Sequence, residues 1–478
     1  MTTFGQPLAI TATAISGLLL VDLTVHGDNR GWFKENWQRE AMTAAGLPDF
    51  GPVQQNISLN ERVGTIRGIH AEPWDKWVSL ATGKVFGAWV DLRPGPGFGR
   101  VVTAELDPSR AVFVPRGVGN AFQTLEHGTA YTYLVNDHWS PEAAYTFLNL
   151  ADETVAVPWP IPLDRAEISA KDLAHPRLAD VVPMAPRKTL VLGADGQLGR
   201  ALRATLGEAA HLEYASRADL DLTDPALPAA RRWRDYEVII NAAACTGVDA
   251  AETTEGRQAA WAVNATGVAR LARVATENQL TLVHVSSDYV FDGTATRPYR
   301  EDDPVSPLGV YGQSKAAGDA AAATAARHYL LRSSWVIGDG GNFVRTMASL
   351  AGRGIDPQVV GDQVGRPTFA TDLAAAIVHL LEQRAPYGTY NVTCGGEPLS
   401  WADLARRVFD RTGHDPARIT EVGTAEYATG VSGPFAPRPA NSVLDLAKIT
   451  ATGFTPQDVE SALGEYLDQV ALRRPPDQ

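Results

Sequence analysis

A tyrosine and a lysine stand four residues apart in Tyr311-Gly-Gln-Ser-Lys315, and on a helix that spacing puts both side chains on one face. A phenol is a poor acid at neutral pH; a nearby ammonium favours its ionised form and makes it a useful proton relay. Upstream, Ser286-Ser287-Asp-Tyr-Val-Phe-Asp-Gly293 follows an apolar run, which places Ser287 at the carboxyl edge of a sheet, where open α/β sheets bind ligands. Earlier still, Gly193-Ala-Asp-Gly-Gln-Leu-Gly199 sits where a strand hands over to a helix. Its glycines allow a tight turn and close backbone approach to a pyrophosphate, which then rests on the helix N-terminus. Alone, the loop reads equally as a plain Gly-rich turn, and the Tyr/Lys pair as a helix-surface pair. Their order along the chain (loop, serine, Tyr/Lys) selects an NAD(P)-dependent reductase. About 20 residues beyond the loop, where an Asp or Glu would take a ribose 2′-OH, the chain has Ser216-Arg217. Arg217 is either a partner for a 2′-phosphate or a solvated surface residue, which tilts the choice to NADPH over NADH. Asp221-Leu222 is placed to meet the adenine.

The first third of the chain offers less. His70 stands in Arg67-Gly-Ile-His70, and an isolated histidine is more often structural than catalytic. There is no HxH, and His26, His127 and His138 show no ligand spacing with His70, so no metal is expected.

The elements that must hold these residues change character near residue 185. Before it, short apolar stretches such as Val85–Leu92, Val101–Leu106 and Ala130–Val135 are separated by Gly, Pro and Asp clusters. That spacing predicts an all-β sandwich or barrel, with one helix at Glu40–Ala45. Pro176 to Pro186 reads as the joint. After it, apolar runs at Thr189–Leu192, Leu212–Ala215, Glu237–Asn241, Thr281–Val285 and Tyr329–Arg332 alternate with helical stretches such as Gln258–Glu277 and Lys315–His328. This is the βαβ pattern of a doubly wound parallel sheet. The expected division is a domain at 1–183, a linker at 184–187 and a domain at 188–478. The 478 residues are 45% apolar and 20% charged, with a net charge of −13 spread along the chain. That balance argues against nucleic acid or an anionic membrane surface as partner. Two cysteines make no disulfide framework, and the stretch Ile15–Val21 is broken by Asp22 and too short to span a bilayer. The expectation is a cytoplasmic protein.

From Lys188 to about Leu472 the chain resembles the extended short-chain dehydrogenases, specifically the dTDP-4-dehydrorhamnose reductase family. The resemblance rests on GADGQLG, NAAACTGVDAAE (241–252), VSSDYVFDG (285–293), VYGQSK (310–315), SSWVIGDGGNFVRTM (333–347), VVGDQVGRPT (359–368) and RPANSVLD (438–445). It implies a Rossmann-like sheet with a small substrate-binding part. Ser287, Tyr311 and Lys315 would be catalytic, with Ser287 where the family more often has Thr. Gly193, Asp195, Gly196, Gln197, Leu198 and Gly199, together with Ala242, Ala243 and Ala244, would hold NADPH (or NADH). The loops Asp362–Thr368 and Arg438–Ser442 would hold the substrate.

Residues 8–183 resemble the dTDP-4-dehydrorhamnose 3,5-epimerase family, through GDNRGWFKE (27–35), VQQN (53–56), GTIRGIH (64–70), Lys76, GKVFGAWVDLR (83–93), PRGVGNAF (115–122) and SAKD (169–172). The resemblance implies a metal-free cupin jelly roll, generally dimeric, so a homodimer through this domain. A C4 ketone acidifies the protons on C3 and C5, and inversion needs a base on one face and an acid on the other. By the resemblance His70 is the base, Asp172 its orienting carboxylate and Tyr133 the acid. Lys76 would stabilise the enolate oxygen, and Arg30, Arg67 and Lys171 would bind the diphosphate, with Glu35, Gln54, Asn56 and Asn120 also on the substrate. Two positions depart from the family, which usually has His at Asn120 and often Glu at Ala144. The two families act in consecutive steps on a dTDP-sugar, so the implied whole is a bifunctional enzyme of dTDP-L-rhamnose synthesis. The alternatives are epimerisation at C3 or C5 only, a 6-deoxy-L-talose product, or a β domain that only binds or dimerises.

Overall fold

The structure, a computed structural model, describes residues 2–472. It divides into two compact units, Met1–Pro186 and Arg187–Gln478. No helix among the described residues is long and apolar enough to cross a membrane.

The first unit is built on two antiparallel sheets. One runs in the order Ala9–Ala12, Leu19–Asp22, Arg110–Val114, Lys76–Thr82, Thr129–Val135, Gln54–Asn60; the other in the order Val101–Leu106, Val85–Asp91, Val118–Thr124, Ile66–Ala71, Thr146–Phe147. Successive side chains of a strand point to opposite faces, and here both faces are used. Val78 and Leu80 of the first sheet pack with Val85, Trp89 and Phe122 of the second. Trp77, next to Val78, turns outward with Phe113 onto Met42 of the helix Arg39–Ala44. The outer face of the second sheet is covered by the end of the unit, where Leu178, Val181 and Met184 are buried against Ile69 and Val90. The segment Pro176–Pro186 is therefore not an open joint: it seals a sheet, and the Met184 amide donates to the Leu92 carbonyl.

A bulge opposite Asn120 and Phe122 shifts the register of Ile66–Ala71. Gly68 sits there with φ +134°, and a Cβ on it would fall 2.7 Å from the Ala121 Cα. Only glycine suits that backbone and that approach. The bulge leaves His70 directly opposite Asn120, both facing the space between the sheets.

The second unit holds a six-stranded, all-parallel sheet in the order Leu212–Ala215, Lys188–Leu192, Tyr236–Asn241, Thr281–Ser287, His328–Ser333, Gly388–Asn391. Its strands are continuous apolar runs because both faces are covered. Leu190, Ile239 and Leu282 pack under the helix Val268–Asn278, while Val191, Ile240 and Val283 meet Gln197–Leu206 and Ala370–Glu382 on the other side. The strand order reverses between Lys188–Leu192 and Tyr236–Asn241, which opens a crevice at their carboxyl ends. A further cluster, with Val344, Leu404 and Val408, joins the helices Phe343–Gly352 and Trp401–Arg411.

Two helices differ from the sequence pattern. The stretch Gln258–Glu277 is not one helix: Thr254–Trp261 and Val268–Asn278 are separated by a π segment at Ala262–Gly267. There the buried Asn264 side chain accepts from the Cys245 amide and donates to the Cys245 carbonyl and the Ser314 hydroxyl. The last helix before His328 starts at Val310, not Lys315, and ends at Ala322. The Glu252 carboxylate accepts from the Val310 amide at 2.8 Å and so secures that end.

Candidate active sites

In the parallel-sheet unit, the early helix start places Tyr311 in the first turn and Lys315 one turn on. Both line a cavity of about 590 Å³ with Ser287, the last residue of its strand. Gly196, Gln197, Leu198, Ala242 and Ala244 line the same cavity. Gly193 and Gly199 form the turn beneath it, where the Gly193 oxygen accepts from the Gly196 amide. Ala243 and Asp195 belong to the same two loops without lining the cavity. Arg217 is exposed and pairs at 3.3 Å with Asp221 beyond the strand Leu212–Ala215. Leu222 is buried in the core and so presents no side chain to an adenine.

The Ser287 hydroxyl donates to Asp288 at 2.9 Å. Burial pushes the Tyr311 phenol up; the neighbouring Asp288 carboxylate adds to this and the Ser287 hydroxyl works against it. The expectation that an ammonium would favour the ionised phenol is thus reversed here, because burial and the Asp288 carboxylate act in the same direction and only the Ser287 hydroxyl opposes them. The phenol is held as a proton donor. Lys315 is 2% exposed and donates to the Val285 carbonyl at 2.6 Å. Burial lowers its ammonium to about 8, with Asp319 opposing. Asp319, one turn further on the helix, is itself buried and bonded to Arg332 at 3.1 Å. His284, beside Lys315, is kept neutral by burial and by that ammonium. Asp319 follows Lys315 by one helical turn, but Arg332 is not marked by spacing; the packed sheet brings it to Asp319.

In the β unit, a cavity of about 760 Å³ opens between the two sheets. His70 and Asn120 reach it from one sheet and Lys76, Tyr131 and Tyr133 from the other, and Arg67 and Asp172 line it too. His70 Nε2 is 2.9 Å from Asp172 Oδ1. Asp172 lies on the short helix Ala170–Leu173, whose start is capped by Ser169, and its other oxygen accepts from the Gly68 amide. Burial would raise the Asp172 carboxyl, but the His70 hydrogen bond and charge and the Gly68 amide together hold it below the usual carboxylate range. Burial raises the Tyr133 phenol, with the Glu72 charge adding and Arg67 opposing.

Four partners in or beside this cavity, Glu72, Trp89, Tyr131 and His175, are not marked as site residues by the sequence. Glu72 pairs with Lys76 at 2.5 Å, both largely buried, and the Lys76 ammonium lies 5.0 Å from the Tyr133 ring centre. The Asn120 oxygen accepts from Trp89 at 2.9 Å and from the Tyr131 hydroxyl at 3.1 Å. His175 lies one turn beyond Asp172, 3.7 Å from it. Five expected residues stand outside the lining: Arg30 is exposed and bound to Asp28, Glu35 is exposed, and Gln54 bonds Asn56, itself the cross-strand neighbour of Tyr133. Lys171 also points elsewhere, its ammonium 5.3 Å from the Phe147 ring centre.

The sequence profile described as "dTDP-4-dehydrorhamnose 3,5-epimerase" matches residues 12–180, and that described as "RmlD substrate binding domain" matches residues 187–472. The chain is 48% identical to a protein named "Protein RmlC homolog" from Streptococcus pyogenes, over 39% of this chain and 98% of the other. It is 39% identical to a dTDP-4-dehydrorhamnose reductase from Aggregatibacter actinomycetemcomitans, over 58% of this chain and 97% of that one. A crystal structure of a dTDP-4-dehydrorhamnose reductase from Bacillus anthracis in complex with NADP superposes with a TM-score of 0.55 at 30% identity, covering 59% of this chain and 99% of that one. The chain therefore belongs to two families at once, to the dTDP-4-dehydrorhamnose 3,5-epimerases through its first unit and to the RmlD-type dTDP-4-dehydrorhamnose reductases through its second.

Proposed function

We propose that this chain is a bifunctional enzyme of dTDP-L-rhamnose synthesis, which epimerises dTDP-4-dehydro-6-deoxy-D-glucose at C3 and C5 and then reduces its C4 ketone with NADPH. The observation that carries this reading is the pairing of two families that act in succession on one nucleotide sugar, each with a cavity, one lined by His70, Lys76, Tyr133 and Asp172 and the other by Ser287, Tyr311 and Lys315. We read the first unit as a cupin jelly roll and the second as a Rossmann-like fold.

In the first cavity, the Nε2–Asp172 bond leaves His70 Nδ1 without a partner among the described residues. That nitrogen takes the proton next to the ketone, and Asp172 supports the resulting imidazolium. Lys76 stabilises the enolate oxygen, and Tyr133, reaching in from the opposite sheet, returns a proton to the other face of the carbon. The exposed apolar pair Ile57 and Leu59, on the edge strand Gln54–Asn60, supports a homodimer, since an unpaired apolar edge invites a second copy.

In the second cavity, the cradle fits a dinucleotide: the turn and the helix start present backbone rather than side chains. A Cβ on Gly199 would fall 2.6 Å from the Ala194 Cα, so Gly199→Ala is expected to distort this turn at a cost of about 1–3 kcal/mol. Calorimetry should show NADPH affinity reduced about tenfold or more, with the first unit's activity unchanged. Bound NADPH supplies a hydride to C4 of the sugar. Tyr311 gives its proton to the developing alkoxide, Ser287 hydrogen-bonds that oxygen, and Lys315 holds the cofactor ribose and supports the tyrosine. Arg217 would leave its exposed pairing with Asp221 to meet the 2′-phosphate.

Lys315 acts as a cation, and its ammonium titrates at about 8. The charged fraction falls as pH rises through that value, so kcat/KM for NADPH, which reports the free enzyme, is expected to decline above about pH 8. A profile flat to pH 10 would contradict a cationic role for Lys315. The function itself is tested by incubating the protein with dTDP-4-dehydro-6-deoxy-D-glucose and NADPH and taking NMR spectra of the product. dTDP-L-rhamnose is expected; 6-deoxy-L-talose, or a product inverted at one carbon only, would correct the reading.

A further inference from the structure

His175 is the one group of the His70–Asp172 cluster that the epimerisation chemistry leaves unused. It is 8% exposed, the Leu148 backbone is the polar group that acts on its ring as a hydrogen-bond partner, and its Nε2 makes no close hydrogen bond among the described residues. A buried nitrogen left without a partner is unfavourable by the desolvation it has suffered. Its ring is nonetheless held firmly: Phe147 stacks on it with centres 4.7 Å apart, and the His70 ring meets it edge-on at 5.3 Å. That orientation aims Nε2 at Asp172 Oδ1, 3.7 Å away, the same oxygen that lies 2.9 Å from His70 Nε2. One ligand atom from each of His70, Asp172 and His175 lies within 4.8 Å of the others.

Ligands about 2.0–2.1 Å from a tetrahedral zinc ion stand roughly 3.3 Å apart, and the two distances to Asp172 bracket that spacing. Two imidazoles and one carboxylate form a recurrent ligand set for divalent transition metals, and two of the three, His70 and Asp172, line the cavity. Of the nearby cations, Lys76 is already paired with Glu72 and Arg67 is bonded to Asn60, while Lys171, over Phe147, is the one whose charge reaches His175 and would oppose a bound cation.

We propose that His70, Asp172 and His175 form a site for a zinc-class divalent cation, and that filling it switches off the proton chemistry of this unit while the reductase unit keeps working. The second half of the proposal rests on the reading of His70 as the base. A cation on His70 Nε2 confines the ring's proton to Nδ1, the nitrogen that must accept the proton from the sugar. It also takes the Asp172 carboxylate away from the imidazolium.

The test uses the full chain after dialysis against a chelator, titrated with Co²⁺ as a spectroscopic stand-in for zinc. The intense visible absorption of four-coordinate Co²⁺ is expected to saturate at a single equivalent and to be bleached by Zn²⁺. His175→Asn and His175→Gln are each expected to weaken Co²⁺ binding about 10–100-fold. In parallel, solvent deuterium uptake at the sugar carbons flanking the ketone, without NADPH, should fall in the wild type as the site fills. Under the same Co²⁺ it should persist in the His175 variants. No Co²⁺ signal, equal affinity in wild type and both variants, or deuterium uptake indifferent to a filled site would each overturn the proposal. A metal-free wild type that takes up no deuterium refutes the epimerase reading and, with it, the switch, while the Co²⁺ spectrum still decides the site.

Discussion

Tyr311→Phe is expected to lower the rate of NADPH oxidation with the 4-keto sugar by about 10³-fold, within the range for removing a positioned general acid. Hydride arrival at C4 builds negative charge on the ketone oxygen, and a proton must meet it. Tyr311 is held protonated and shares the second cavity with Ser287 and Lys315; the other raised phenol there, Tyr289, is engaged with Arg438. Phenylalanine keeps the ring, so the edge-on contact with Tyr289, centres 5.7 Å apart, survives. The affinity for NADPH, read by fluorescence quenching, should therefore change little. Deuterium uptake catalysed by the first unit should be untouched, which separates a chemical loss from a folding defect. A variant that oxidises NADPH at the wild-type rate would remove Tyr311 from the reaction.

Much of this site is legible in the sequence, for a physical reason. Parallel strands covered on both faces are continuous apolar runs, so Thr281–Ser287 and His328–Ser333 announce themselves within a residue or two. The glycine turn between a strand and a helix is as local. The start of the Tyr311 helix is not. Val310-Tyr-Gly-Gln-Ser lacks an apolar stripe, and the carboxylate that secures its first amide belongs to Glu252, 58 residues upstream. The sign of the Tyr311 shift is hidden for the same reason: spacing shows the neighbouring lysine, whereas burial, the largest cause of the shift, is set by the whole fold.

The β unit yields less to local reading because its site is assembled across two sheets. His70 and Asp172 are 102 residues apart, and nothing near either in sequence points to the other. Family resemblance supplies that pair; it does not supply Glu72 under Lys76, or His175 behind Asp172. The loop residues expected to hold the diphosphate also show the limit of carrying roles over by motif. Arg67 lines the cavity and Arg30 does not, although both stand in equally recognisable segments.

Tyr133→Phe should divide the epimerisation into its two proton transfers. His70 and Tyr133 enter the cavity from different sheets, so the removal and the return of a proton are assigned to separate groups. Without the Tyr133 hydroxyl, His70 still forms the enolate and hands its proton, by then exchanged with solvent, back to the face it came from. In D₂O the variant is expected to label the carbon beside the ketone with its configuration retained, while inversion falls about 10²–10³-fold. His70→Asn, by contrast, should end labelling and inversion together. In the coupled reaction both variants consume NADPH slowly, because the reductase unit is left waiting for its inverted substrate. Adding the Tyr311→Phe chain, whose first unit is intact, should restore NADPH oxidation to either of them, since the inverted ketone is a free nucleotide sugar that a second chain can take up. Inversion at the wild-type rate by Tyr133→Phe would place the acid elsewhere, and Tyr131 is an unsuitable substitute: its hydroxyl is buried and committed to Asn120 at 3.1 Å.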